Sequence, residues 1–328
     1  MKKQSSESIN FPPKKAEYKF SHSSPTSRGG DRFFRNVVLG FGLVVILLAL
    51  GFAWELIWQS RLAWKEFGLG LIFGMNWDPV LDIYGALPFI YGTLVSSALA
   101  LLIAIPLGLG SAIFLAEMAP RHISNWLSFL IELLAAVPSV VLGLMGIFLL
   151  VPFMASIQPF LIRYLGWIPL FSGSPYGVGL LTAGMILSIM ILPYITSISR
   201  DIILTVPRSQ KEGAFALGAT HWEVITNVIL PYARSGILGA IFLALGRALG
   251  ETMAVTMVIG NTPQITPSLF DPAYSMAAVI ANQFTEATTQ LELHSLIGIG
   301  LILFGITFIV NAAARLLIYK LTIKGGRI

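Results

Sequence analysis

The amino-acid sequence predicts an all-α membrane protein of six transmembrane helices with both termini in the cytoplasm. Three observations lead to that fold class. Only 11% of the 328 residues are charged and 55% are hydrophobic, whereas soluble domains carry about 25% charged residues. Six apolar stretches, at 37–54, 94–115, 126–154, 178–198, 236–259 and 296–314, meet or approach the span of about 20 residues that a helix needs to cross the hydrocarbon core. Threading the chain through these stretches places seventeen Lys and Arg residues on one side and three (Arg61, Lys65, Arg163) on the other. The basic side is the cytoplasmic one.

Taken in order, residues 1–36 are polar, basic and serine-rich with no periodic apolar face, the composition of a disordered cytoplasmic tail. The run that follows has no small-residue cleavage site and reads as a retained anchor. The first outer loop, 55–93, carries Trp58, Trp64 and Trp77, side chains suited to the lipid interface. Glu55 falls at the wet outer end of the first span. The third span holds Glu132 and is long enough to tilt or to break at Pro138; the fourth holds Pro193. Each proline frees a carbonyl, as a hinge or as a packing kink. The outer loop 260–295 has Asp271, Glu286 and Glu292 and no basic residue. In the sixth span Asn311 is a candidate for hydrogen bonding between helices.

The cytoplasmic loop 199–233 is the most patterned part of the chain. Pro207 suits a first helical turn, Gly218 suits the left-handed residue that ends a helix, and Thr220 with Glu223 forms a T-x-x-E capping box. Pro231 is expected to stop the second helix. The prediction is an elbow of two short helices bent at Gly218.

The fifth span contains Gly246-Arg247-Ala248-Leu249-Gly250-Glu251-Thr252. In a continuous helix Arg247 and Glu251, four apart, share a face. A central ionised residue costs about 2.5 to 3.5 kcal/mol on insertion scales. The pair is therefore either a structural ion pair or a lining of a polar path. Gly246 and Gly250 form a G-x-x-x-G ridge for close helix approach.

Several functions are excluded or disfavoured. There are no cysteines, and the four histidines (His22, His122, His221, His294) make no HExxH pattern, which argues against thiol chemistry and common zinc sites. No Gly-Lys dipeptide occurs, so the chain has no P-loop for ATP. The net charge of +5 follows topology and does not mark a nucleic-acid site; the expected surroundings are membrane lipid.

The spacing Glu212-Gly213-Ala214, Gly218 and Val228-Ile229-Leu230-Pro231 resembles the EAA loop of binding-protein-dependent ABC permeases, with Gly213 in place of Ala and Val228 in place of Ile. The strings 246–255, 259–262, 85–94 and 132–141 are similar to those of PstC permeases of phosphate-specific transport systems, and the likeness runs over about residues 33–325. The resemblance implies a type I ABC importer permease fold in residues 37–325, set in the bacterial inner membrane and moving inorganic phosphate inward by alternating access. It implies a PstA-type sister permease, a PstB-type ATPase dimer carrying the ATP and Mg, and a PstS-type phosphate-binding protein, with no cofactor on this chain. By the same resemblance Glu212, Ala214, Phe215, Gly218, Trp222, Leu230 and Pro231 couple to the ATPase, with Leu217 adding apolar contact. Arg247, Glu251 and Thr252 are the expected substrate-path residues. Permeases for molybdate, tungstate or sulfate are alternative readings, as is a proton-coupled carrier using Glu251; ATP dependence of uptake separates the last.

Overall fold

The computed structural model describes residues 28–325, with side chains from 30 to 320. The chain divides into two compact units, Met1–Phe52 and Ala53–Ile328. The described part of the first unit is helical throughout, the beginning of α1 (Arg28–Phe67). The expected tail lies outside the described residues as far as residue 27; from Arg28 onward the anchor helix has already begun.

The second unit contains the rest of α1, then a one-turn helix α2 (Gly70–Phe73) and a two-stranded antiparallel hairpin, β1 (Trp77–Asp78) and β2 (Ile83–Tyr84). Next come α3 (Leu87–Ile113), α4 (Arg121–Ala135), α5 (Ser139–Met145) and α6 (Val151–Leu165). They are followed by α7 (Leu180–Leu204), α8 (Arg208–Ala216), α9 (His221–Val224) and α10 (Leu230–Gly250). The chain closes with α11 (Met253–Val258), α12 (Met276–Gln283) and α13 (Gln290–Gly325). Among the described residues there are three π-helical turns: Gly146–Leu150 and Ile225–Ile229 lie within continuous helical runs, and Phe114–Met118 ends the run begun by α3.

Among the described residues six helical runs are long and apolar enough to cross a membrane: Gly30–Phe67, Leu87–Met118, Ser139–Leu165, Leu180–Leu204, His221–Gly250 and Gln290–Lys320. The count agrees with the sequence reading, but the third and fifth runs differ from it. The third breaks at Pro138, which caps α5 in an extended conformation, because proline disfavours helix in the residue before it. Residues 126–135 therefore belong to the separate helix α4, where Glu132 is exposed. Pro193 sits buried inside an unbroken α7. The fifth run does not reach residue 259: α10 ends at Gly250.

The most buried of the six runs is α7, and α3 and α10 are its main neighbours. Its contact with α3 is made by a ridge of small residues every fourth position on α3: Ser96, Ala100, Ala104, Gly108 and Ala112 are all buried. A β-carbon at Gly108 would stand 2.9 Å from the Ile195 side chain, and one at Gly184 would stand 2.7 Å from Cβ of Leu99. Small ridges let backbones approach where lipid supplies no hydrophobic drive between helices. The ridge expected at Gly246 and Gly250 is looser: a β-carbon at Gly246 would meet only the Asn311 amide at 3.9 Å, and Gly250 has nothing within 4 Å.

A second core gathers Trp77, Tyr84, Phe89, Tyr274, Met276 and Leu296. Trp77 is buried there, with Nε1 donating to Gln283 at 2.8 Å, so it is a core residue rather than the interfacial anchor expected. Its indole packs edge-on against Tyr84 and Phe89, with centroids 4.8 and 5.1 Å apart. Burial raises the pKa of the Tyr84 and Tyr274 hydroxyls above its ordinary value. Asn311 bonds within its own helix, donating to the Thr307 carbonyl at 2.8 Å, in place of the expected bond between helices.

Candidate functional site

Two places carry the residues singled out by the sequence. The first is the break in the fifth run. Helix α10 ends at Gly250, Glu251 is extended (φ −71°, ψ 129°), Thr252 follows at φ −112°, ψ −64°, and α11 starts at Met253. The Glu251 carboxylate accepts from the Ala254 N–H at 3.4 Å, and the Thr252 carbonyl accepts from the Thr256 N–H at 3.0 Å and the Thr256 hydroxyl at 2.8 Å. A carboxylate that binds amides of the next helix competes with continuation of the previous one.

Arg247 and Glu251 consequently do not share a helix face, and they form no ion pair. That corrects the expectation drawn from their spacing, since the i, i+4 relation holds only where the helix is continuous. The Arg247 guanidinium instead lies over the ring of Tyr194 on α7, 4.9 Å from its centroid. Its Nε is buried without a hydrogen-bond partner. A cation over an aromatic face gains about 0.5 to 2 kcal/mol, short of the insertion cost of about 2.5 to 3.5 kcal/mol for a central Arg. Arg247 lies on the stripe Leu243, Arg247, Gly250, whose outer members are exposed, while Ala240, Ala244 and Ala248 face the core. The site thus offers a half-buried cation free of carboxylate, next to a turn carrying a carboxylate and a threonine hydroxyl.

The second place is the elbow. Helix α8 ends as a Schellman motif: the Ala219 N–H reaches the Ala214 carbonyl at 3.1 Å, the Gly218 N–H reaches Phe215 at 2.9 Å, and Gly218 takes φ +86°. Only glycine adopts that conformation without strain. The capping box at α9 is complete, with the Glu223 N–H donating to Thr220 Oγ1 at 3.3 Å and the Thr220 N–H donating to Glu223 Oε2 at 2.8 Å. Pro231 does not stop the second helix. It sits in the first turn of α10, and the π-helical turn before it passes the Leu230 N–H to the Ile225 carbonyl. The wider i→i+5 register absorbs a residue that has no N–H to give.

The elbow is seated on a third core of Ala112, Ile203, Val206, Val224, Ile225, Ile229 and Ala233, with Ala214 and Leu230 packed at its edge. Glu212, Phe215, Trp222 and Pro231 remain exposed, and Leu217 is 91% exposed. Phe215 and His221 meet edge to face at 4.9 Å. A cleft of about 500 Å³ opens beside them, lined by Met118, Phe215, Trp222 and Ile225 among others.

One contact here was missed by sequence reasoning. Lys211 Nζ on α8 bonds Glu117 Oε1, at the end of the run begun by α3, at 2.5 Å, and the two side chains are only 16% and 17% exposed. The residues stand 94 positions apart. The available signal was a lone acidic residue at a span end, which spacing does not match to any partner.

The sequence profile of the binding-protein-dependent transport system inner membrane component family matches residues 104–322. The phosphate transport system permease protein PstC of Mesorhizobium japonicum is 48% identical over 90% of this chain and 92% of its own length. PstC of Pasteurella multocida is 46% identical over 90% of this chain and 94% of its own. A chain of a bacterial alginate ABC transporter, solved in complex with an alginate pentasaccharide-bound periplasmic protein, superposes with a TM-score of 0.56 at 15% identity, covering 89% of this chain and 98% of that one. That likeness concerns the fold.

Proposed function

The chain belongs to the binding-protein-dependent transport system inner membrane component family, and on that premise we propose that it is the PstC-type permease subunit of an ABC importer that carries inorganic phosphate into the cytoplasm. The observation that carries this reading is the helix break, which leaves a carboxylate-free Arg247 in the last turn of the fifth spanning run and sets Glu251 and Thr252 in the turn that follows it. A guanidinium presents a planar fork of donors to phosphate oxygens. Phosphate retains a proton at neutral pH, so its O–H donates a hydrogen bond to the Glu251 carboxylate; sulfate has none to offer.

The remaining roles follow from the family. The elbow engages an ATPase dimer that binds ATP and Mg, with Phe215, Leu217 and Trp222 supplying apolar contact and Glu212 facing a basic group. Gly218 and the capping box hold the bend, and Leu230 and Pro231 lead its motion into α10. A PstA-type sister permease completes the path, a PstS-type protein delivers phosphate from outside, and the setting is the bacterial inner membrane with both termini cytoplasmic. Alternating access requires that ATP bind one facing state more tightly than the other.

The test is reconstitution with sister permease, ATPase and binding protein, followed by ATP-dependent uptake of labelled phosphate, sulfate and molybdate. Phosphate uptake is expected to dominate. Arg247→Gln and Glu251→Gln are each expected to abolish it while the complex still co-purifies. Full uptake in both variants removes the assigned path, and uptake without ATP removes the importer.

A further inference from the structure

We propose that Tyr194 is the positioning residue of the anion path, holding Arg247 over its ring face so that the cation keeps its charge and its donors for a passing oxyanion. The proposal rests on the reading of Arg247 above and deepens it.

An arginine in a membrane span can be kept in place in three ways. A carboxylate neutralises it and occupies its N–H groups. Backbone carbonyls occupy the same groups. An aromatic face stabilises the positive charge through the ring quadrupole and takes up no donor. The structure uses the third. The guanidinium carbon sits 4.9 Å from the Tyr194 centroid, and among the described residues no carboxylate pairs with Arg247. Its Nε, though buried, has no hydrogen-bond partner. The acidic residue nearest in sequence, Glu251, is turned to the Ala254 amide instead. Tyr194 stands on α7, the most buried of the six runs, whose Ile191, Pro193 and Ile195 are in the core. Its own side chain, like that of Arg247, is partly buried, so the two meet where the packed face of α7 gives way to the partly exposed stripe of α10.

A merely structural role predicts that any group able to stabilise the cation will serve, a carboxylate best of all. The positioning role predicts the opposite, because a carboxylate at 194 would saturate the anion receptor. Tyr194→Phe, Tyr194→Leu and Tyr194→Glu are to be compared in the full complex with sister permease, ATPase and binding protein. Co-purification and ATP-dependent uptake are measured together. Uptake of phosphate, sulfate and molybdate is read in parallel, so the comparison stands whichever anion the wild type imports, and a wild type that prefers another anion counts against the phosphate assignment alone.

Tyr194→Phe keeps the ring and is expected to retain uptake within about twofold, while Tyr194→Leu loses about tenfold in maximal rate. The half-saturating concentration of binding protein is expected to be unchanged. Tyr194→Glu is expected to assemble and to transport no better than Tyr194→Leu. Wild-type uptake in Tyr194→Glu or Tyr194→Leu overturns the proposal. So does a loss in Tyr194→Phe equal to that in Tyr194→Leu, which would assign the role to the hydroxyl. Failure of both Tyr194→Leu and Tyr194→Glu to assemble also overturns it, by showing the ring to be structural.

Discussion

Arg247 and Glu251 show how far a single residue can be read from its neighbours. Two ionisable groups in an apolar stretch were visible in the sequence, and so was the cost that makes them need a reason. Their geometry was not, because the four-residue spacing implied a shared face that the helix end at Gly250 removes. Glycines behave similarly. Gly92 stands in the 85–94 string, where nothing local shows why it is glycine, yet a β-carbon there would overlap the backbone carbonyl of Tyr274. The next residue, Thr93, accepts from the Met276 N–H at 2.9 Å in a buried bond. The close approach of α3 to the 274–276 segment therefore depends on one missing methyl group. Gly92→Ala is expected to lower stability by about 2 kcal/mol, since backbone atoms cannot rotate away as a side chain can. Thermal unfolding of the purified complex in detergent measures it, and an unchanged midpoint would refute the packing argument.

At the scale of elements the elbow was the most legible part. Its glycine bend and capping box are local devices, formed by residues within a few positions of one another, and both are present. The π-helical turns were illegible because they report how a helix is fitted to its neighbours rather than what it is made of. So was the ion pair between α8 and the end of the second spanning run. Lys211 and Glu117 are largely shielded from water, so removing one partner strands a partly desolvated charge. Glu117→Gln alone is expected to destabilise the complex by about 2 kcal/mol. The double variant Glu117→Leu with Lys211→Met is expected to recover most of that loss. A double variant no better than the single one would show that the pair is a surface contact of little consequence. With the pair intact, α8 is fastened to the end of the run begun by α3.

For the whole molecule, orientation rests on seventeen basic residues against three. The absence of cysteine in the sequence makes a direct test available, since a single introduced thiol has no background. Val80→Cys, at a 91% exposed position of the hairpin turn, is expected to react with a membrane-impermeant maleimide in intact spheroplasts. Ser209→Cys on α8 is expected to react only after permeabilisation. The reverse pattern would invert the topology and with it the assignment of the elbow to the cytoplasm. The sequence by itself determined that there are six spans, that an elbow bends at Gly218 and that the fifth span carries unusual charge, because hydropathy, caps and glycine conformations act over one or two helical turns. The tertiary structure alone decided that Trp77 is core, that α3 presents a tight small-residue ridge to α7 while Gly246 and Gly250 make no close helix contact, that Glu117 meets Lys211, and that Arg247 rests on Tyr194 instead of on Glu251. The physical reason is that hydropathy measures how well a side chain tolerates leaving water. It does not distinguish lipid from protein as the medium it enters, and the groups that make this difference come from positions far apart in the chain.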